Sequence, residues 1–344
     1  MKAAVIHKKE NISVENVETP QIEPGKVLVK IKAVRISPSD IDLLKGTHPL
    51  ISQKDLYPVI PGNQWSGIVA QVGEGVIGIE KGERVVGDTA IGCGKCTHCR
   101  TGNYHLCFSV EIPGLTLNGG MAEYILVPAS MLHPFTWITY DEAALIAPIT
   151  TVLHAIKRAE IPRGLDVLIW GSNPIALAAI QLIKVFGASR VFVGDLWSKN
   201  RLQVAKKVGA DIIVSVDPDR DHLAQIRTKI KKRFVNVVFE TSGSPEGIPL
   251  SLNLTKRGGR LLFLTKFGKK SSEFDLDAVI LKELTLFGIS EGPGAWDEAI
   301  TLVNEEKVKL SPLITHKFKL NDLKEAFDLV QYQMDNVIAA LITF

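Results

Sequence analysis

Four cysteines fall between positions 93 and 107, and the 344-residue chain has no others. Cys93, Cys96, Cys99 and Cys107 follow the spacing C-x2-C-x2-C-x7-C. Scattered cysteines would suggest disulfides, whereas one tight cluster suggests a metal. Four thiolates satisfy a tetrahedral zinc, and Gly92, Gly94 and Gly102 let the backbone fold closely around one. Four cysteines also hold iron–sulfur clusters, so the spacing alone leaves both open. A closed four-sulfur shell has no position for a substrate, so the centre reads as structural.

A second group of residues suits a dinucleotide. Gly171-Ser172-Asn173-Pro174-Ile175-Ala176 resembles G-x-G-x-x-G, with Asn at the second glycine and Ala at the third. Ala is acceptable at the third position, which serves helix–strand packing. The second is where backbone approaches the pyrophosphate, and Asn tolerates a left-handed backbone better than most residues. Gly171, Asn173, Pro174 and Ile175 are the phosphate-binding candidates. Asp195 follows Ala176 by 19 residues. A carboxylate there accepts hydrogen bonds from a ribose 2′-hydroxyl and repels a 2′-phosphate, which predicts NAD rather than NADP.

These residues need elements to hold them. Val167–Trp170 reads as a strand before the glycine turn, and 174–186 carries apolar residues at helical spacing. Val191–Asp195 is the next strand, 201–208 a helix ending at Gly209, and further strands follow at 212–214, 237–240 and 261–264. Strands alternating with helices predict a parallel, doubly wound sheet. The first third differs. Val27–Val34, Gly67–Gly73 and Arg84–Gly87 are short strands punctuated by glycine and proline. The fold class is therefore α/β with a β-rich first domain. The terminal apolar strand, 337–342, is expected to return to it.

Taken together, the chain resembles the medium-chain dehydrogenase/reductase family of zinc alcohol and polyol dehydrogenases. The resemblance covers nearly the whole length. It rests on the cysteine knot, Pro61-Gly62 leading to Gly67-Ile68-Val69, Gly82-Glu83-Arg84-Val85, Gly119-Gly120-Met121-Ala122-Glu123-Tyr124 and the nucleotide motif. It implies a GroES-like catalytic domain over 1–148 and 290–344, a Rossmann domain over 149–289, hydride transfer to nicotinamide, and a homodimer or homotetramer. It also favours zinc in the cysteine knot.

The family's catalytic zinc ligands are missing. The C-G-[ST]-D motif reads Ser37-Pro38-Ser39-Asp40, G-H-E-x-x-G reads Gly62-Asn63-Gln64-Trp65-Ser66-Gly67, and the last ligand position is Ala147. Hydroxyl and amide groups are poor zinc ligands beside thiolate, imidazole and carboxylate, so one structural zinc and no catalytic zinc are expected. Without that metal another group must take the alcohol proton. Ser39 matches the family's relay hydroxyl, and Asp42 falls where many members carry the relay histidine, which makes Asp42 the candidate general base. Asp40 matches the carboxylate that orients the ligand histidine, and is expected to hydrogen-bond Asn63 instead. Lys45 and His48 are reserves, and His154 reads as a satisfied structural histidine.

Composition limits the partners. Lys plus Arg total 40 and Asp plus Glu 37, a net charge of +3 that argues against nucleic acid or an anionic membrane. The basic run 227–233 reads as a solvated face. The N-terminus meets charge too early for a signal peptide, and 167–186 is too polar to span a membrane. A cytoplasmic enzyme acting on a small molecule is expected. The reaction expected is NAD-dependent oxidation of a secondary alcohol on a sugar, aminosugar or polyol. The alternatives are a zinc-independent ene-reductase and a non-catalytic nucleotide-binding protein.

Overall fold

In the first third of the chain β-branched and apolar residues form short strands that pair into sheets. The computed structural model of the protein describes residues 1–49, 56–196, 199–217, 221–231, 234–267 and 274–344. Contacts divide the chain into two units. The first holds Met1–Ala147, Trp296–Asn304 and Ile314–Phe344, and the second Pro148–Ala295 and Glu305–Leu313.

The first unit begins with β1 (Lys2–Lys8) and β2 (Asn11–Asn16), an antiparallel pair. Next come β3 (Lys26–Arg35), α1 (Pro38–Leu44), β4 (Gln64–Val72), β5 (Arg84–Gly87) and the short α2 (Thr97–Arg100). β6 (Tyr124–Pro128), β7 (Leu132–Pro134) and α3 (Tyr140–Ala143) complete its N-terminal part. β3 is the hub. It pairs with β4 and β6, and at its C-terminal end with the last strand of the chain. Seven of its ten residues are buried rather than alternate ones, so both of its faces are covered. The core packs Ile31, Val34, Trp65, Met121 and Phe327, all nearly inaccessible.

α4 (Ile146–Arg158) leads into the second unit, where strands and helices alternate. These are β8 (Asp166–Trp170), α5 (Pro174–Val185), β9 (Arg190–Asp195), α6 (Lys199–Lys207), β10 (Ile212–Ser215), α7 (His222–Lys229) and β11 (Val235–Glu240). They continue through α8 (Gly247–Leu254), β12 (Thr255–Phe263), α9 (Leu276–Leu281) and β13 (Thr285–Gly288). All strand pairs are parallel, in the order β10-β9-β8-β11-β12-β13. The winding direction reverses between β8 and β11. In such sheets the ligand crevice opens there, at the carboxyl ends of the strands.

The chain then gives α10 (Trp296–Asn304), β14 (Ile314–Lys319), α11 (Leu323–Gln331) and β15 (Ala339–Thr343) to the first unit. β15 pairs antiparallel with β3, Leu341 facing Arg35. The tail thus returns to the first unit, as its apolar pattern predicts. Residues 290–295 and 305–313, expected with that unit, group with the second instead. The reason is local contact. A side chain on Gly292 would lie 2.2 Å from the Thr150 backbone, and the Lys309 amide donates to Gln181 Oε1 at 2.7 Å.

Of the basic run, Arg227 rests its guanidinium over the Phe234 ring, while Lys232 and Arg233 lie outside the described residues. No helix among the described residues is long and apolar enough to cross a membrane.

Candidate functional site

In the second unit the dinucleotide candidates gather at the crevice. Gly171 follows β8 with φ +115°, and a side chain there would lie 2.4 Å from Thr241 Oγ1. Only glycine combines that backbone with that proximity. Asn173 is not left-handed as its residue type allows. Its φ is −75° and ψ 174°, because it is the N-cap of α5. Its Oδ1 accepts from the Ala176 amide at 3.0 Å, and its Nδ2 donates to the Thr241 carbonyl at 2.6 Å. Pro174 takes the first helical position, where its missing N–H costs nothing. Ile175 comes next.

Asp195 ends β9, beside β8, and its carboxylate accepts a close hydrogen bond from Ser172 Oγ. It also interacts electrostatically with the Arg201 guanidinium, which burial otherwise pushes below its ordinary pKa. The sequence reading missed Glu240, wholly buried at the end of β11. Burial lifts its carboxyl to about 7, against opposing hydrogen bonds from Ser242 and Gly243. Its register opposite Trp170 puts it at the floor of the same crevice. The visible signal was an acid ending an otherwise apolar strand. His154, on α4, is half-buried, and desolvation with Arg158 and Lys157 nearby lowers its pKa.

In the first unit the four cysteine sulfurs all lie within 4.8 Å of one another. The Cys96–Cys99 separation is 3.5 Å, Cys96–Cys107 3.8 Å and Cys93–Cys99 4.0 Å. A tetrahedral ion with bonds of about 2.3 Å to sulfur needs sulfur–sulfur edges of about 3.8 Å, so the four thiols fit a zinc. Backbone amides of Lys95 and Cys96 draw the Cys93 thiol down to about 6, while burial pushes the Cys99 thiol up to about 12.

The positions matching the catalytic zinc ligands form a different network. Ser37 is the N-cap of α1 in a capping box with Asp40. Its Oγ donates to Asp40 Oδ2 at 2.6 Å and its amide donates to the same oxygen at 2.7 Å. Asp40 Oδ1 accepts from the Gly62 amide at 2.7 Å. Asp40 therefore binds Gly62 and not Asn63. Gly62 sits at φ +97°, and any side chain there would strike Met121 and Val34. Burial raises the Asp40 pKa, against these hydrogen bonds and the Arg35 charge. Gln64 Oε1 accepts from Arg35 at 2.7 Å. Arg35 was not singled out from the sequence, yet it is only 5% exposed. Burial pulls its pKa down to about 10 and Asp40 opposes this, so it stays charged at neutral pH. Asn63 is buried, and its Oδ1 has no hydrogen-bond partner among the described residues. Ala147 is buried and offers no ligand atom. This donor set does not fit a catalytic zinc.

Ser39 and Asp42 both sit on α1, three residues apart and half-buried, so they share a helix face. Asp42 Oδ1 lies 3.5 Å from Thr47 Oγ1, and its backbone carbonyl accepts from the Thr47 and His48 amides. Lys45 caps the helix C-terminus and His48 is buried. A cavity of about 550 Å³ in this unit is lined by Val5, Val17, Pro58, Leu117 and Tyr124 among others, and neither Ser39 nor Asp42 reaches it.

Residues 23–136 match the alcohol dehydrogenase GroES-like domain, and residues 174–305 match the zinc-binding dehydrogenase domain. A sorbitol dehydrogenase of Halalkalibacterium halodurans is 30% identical, with 91% of each chain covered. An L-threonine 3-dehydrogenase of Pyrococcus abyssi is 34% identical, over 92% of this chain and 90% of that one. Among solved structures, an alcohol dehydrogenase from Escherichia coli CFT073 complexed with NADH superposes with a TM-score of 0.91 at 27% identity. It covers 100% of this chain and 99% of that one. A zinc-binding dehydrogenase from Sinorhizobium meliloti bound to NADP also gives 0.91, at 28% identity and the same coverage.

Proposed function

The chain belongs to the medium-chain dehydrogenase/reductase family, oxidoreductases acting on CH–OH groups, and from that premise we propose that it oxidises a secondary alcohol without a catalytic zinc. The substrate class proposed is a sugar, aminosugar or polyol, in keeping with the sorbitol dehydrogenase among its relatives. The observation that carries the zinc-free reading is the engagement of two of the ligand positions by protein groups. Ser37 is committed to Asp40, and Gln64 to Arg35.

NAD is the acceptor proposed, and when bound its nicotinamide takes the hydride from the alcohol carbon. Asp195 would hold the ribose diol and disfavour a 2′-phosphate. Gly171, Ile175 and the start of α5 would face the pyrophosphate. The hydroxyl proton must leave as the hydride does, since an alkoxide in a dry site is costly. Ser39 would relay it and Asp42 receive it.

The cysteine knot would hold one zinc with a structural role. Self-association is proposed through the second unit. β13 ends its sheet, and the neighbouring α9 exposes Leu276, Ile280 and Leu281. Light scattering that finds only monomers would remove this last element.

The deciding experiment pairs elemental analysis with an NAD-linked screen of sugars, aminosugars and polyols. One zinc per chain and turnover of a member of that set are expected. Two zincs per chain in active protein would overturn the zinc-free reading. Reduction of activated double bonds with no alcohol oxidation would favour an ene-reductase.

A further inference from the structure

A buried guanidinium is expensive unless something balances it. Arg35 ends β3 directly opposite Gln64 of β4, with Leu341 of β15 on its other side. Strand pairing fixes its position, and residue 64 is one of the emptied ligand positions. It gives one hydrogen bond to Gln64 Oε1, and its buried Nε–H has no partner among the described residues. Asp40 is the facing charge, 1% exposed, with its oxygens occupied by Ser37 and Gly62. No ion pair joins the two directly among the described residues, yet each shifts the other's titration through space.

We propose that Arg35 is the resident cation of this centre and takes the electrostatic place of the catalytic metal. It balances the buried Asp40 carboxylate, occupies Gln64 and repels a divalent ion. This rests on the zinc-free reading given above. The centre then carries one buried positive and one buried negative group, which suits a neutral hydroxylated substrate better than an anion. Arg35 acts here as a positioning residue, through Asp40 and Gln64.

The test restores the family's ligands and asks whether Arg35 still excludes metal. Ser37→Cys, Asn63→His and Gln64→Glu are combined, with Arg35 kept or replaced by Ala, Gln or Lys. Cobalt(II) is the probe, read by its visible absorption, by stoichiometry and by the thermal shift it causes. The Arg35→Gln member keeps a polar contact to residue 64 without the charge, and serves if the Ala member does not fold. A cobalt ion beyond the one in the cysteines is expected in the Ala or Gln members. It should bind there roughly tenfold or more tighter than in the Arg and Lys members, because like charges repel strongly where water is scarce. Equal second-site binding with Arg35 present and absent, or none in any member, overturns the proposal. Failure of the zinc-free reading looks different, since the unaltered protein would then already hold a second metal.

Discussion

The Asn173 side chain accepts the Ala176 amide at 3.0 Å, so the helix that faces the nucleotide crevice is capped from within. With Pro174 lacking an N–H, the first turn of α5 keeps few free donors for a pyrophosphate. Asn173→Gly removes the cap and the side chain together. Its cost in stability should be only about a few tenths of a kcal/mol. A hydrogen bond to a charged group contributes about 1.5–3 kcal/mol, so NADH should bind roughly tenfold tighter or better. Fluorescence titration of the variant checks this, and unchanged affinity would show that the cap does not compete.

Asp195 should set the choice of dinucleotide. It lies beside Ser172 at the neighbouring strand end and interacts with Arg201. Asp195→Ala removes the carboxylate proposed to face a 2′-phosphate. Two unit charges about 4 Å apart at an effective dielectric near 20 interact by about 4 kcal/mol, so the preference should shift by tenfold or more toward NADP. Isothermal titration with both cofactors decides. Equal binding of NAD and NADP by the unaltered protein would take this role from Asp195.

Much of this was legible in the sequence, and the limits are physical. The parallel sheet announced itself in apolar runs that turn and helix residues interrupt. The cysteine cluster needed only its spacing. Arg35 stayed invisible because a charged residue ending a strand normally meets water. It lies here between two strands, one of them β15 from the other end of the chain. The Asp40–Gly62 bond likewise joins segments 22 residues apart, and a carboxylate's partner across a loop has no sequence periodicity. Asn173 was legible as a departure from glycine, but not as a helix cap, since its role depends on the Thr241 carbonyl brought alongside by β11.

The cysteine knot should contribute stability through its metal. Structural zinc binding is coupled to folding, so removing a ligand costs folding free energy directly. Cys99 lies 3.5 Å from Cys96 and 4.0 Å from Cys93, and its loss opens the sulfur cluster. Cys99→Ser should release zinc to a chelator far more readily and lower the unfolding temperature. A variant as stable as the zinc-loaded original, with no chelator present, would show that the lobe does not depend on its metal.

Glu240 gives a pH signature. Its carboxyl titrates near 7 when folded, against an ordinary value of 4.5. Below pH 4.5 it is protonated folded and unfolded alike. Between 4.5 and 7 the unfolded chain loses the proton while the folded one keeps it. Stability therefore falls as pH rises through that window and levels off above it. Glu240→Gln should abolish this component, so the variant's unfolding temperature gains on the original's between pH 5 and 8. Calorimetry at several pH values reads the difference. Parallel curves would mean that the carboxyl stays ionised in the folded state.

Asp42 is half-buried like other acids on the surface of a helix, and its position sets it apart. α1 presents Ser39 and Asp42 on one face, and Ser37 of the same segment stands where a metal ligand would be. With Ser37 capping the helix, no group at that position can lower the alcohol's pKa as a metal lowers that of bound water. The burden passes to a base, and general-base catalysis contributes on the order of a hundred- to ten-thousand-fold. Asp42→Asn should therefore cut kcat within that range and leave NADH affinity intact. Ser39→Ala should do the same if the proton travels through the hydroxyl. Steady-state kinetics on a substrate from the screen, with cofactor titration as the control, separates lost chemistry from lost folding. Near-normal turnover in Asp42→Asn would move the base to Lys45 or His48, the other ionisable groups at the end of that helix.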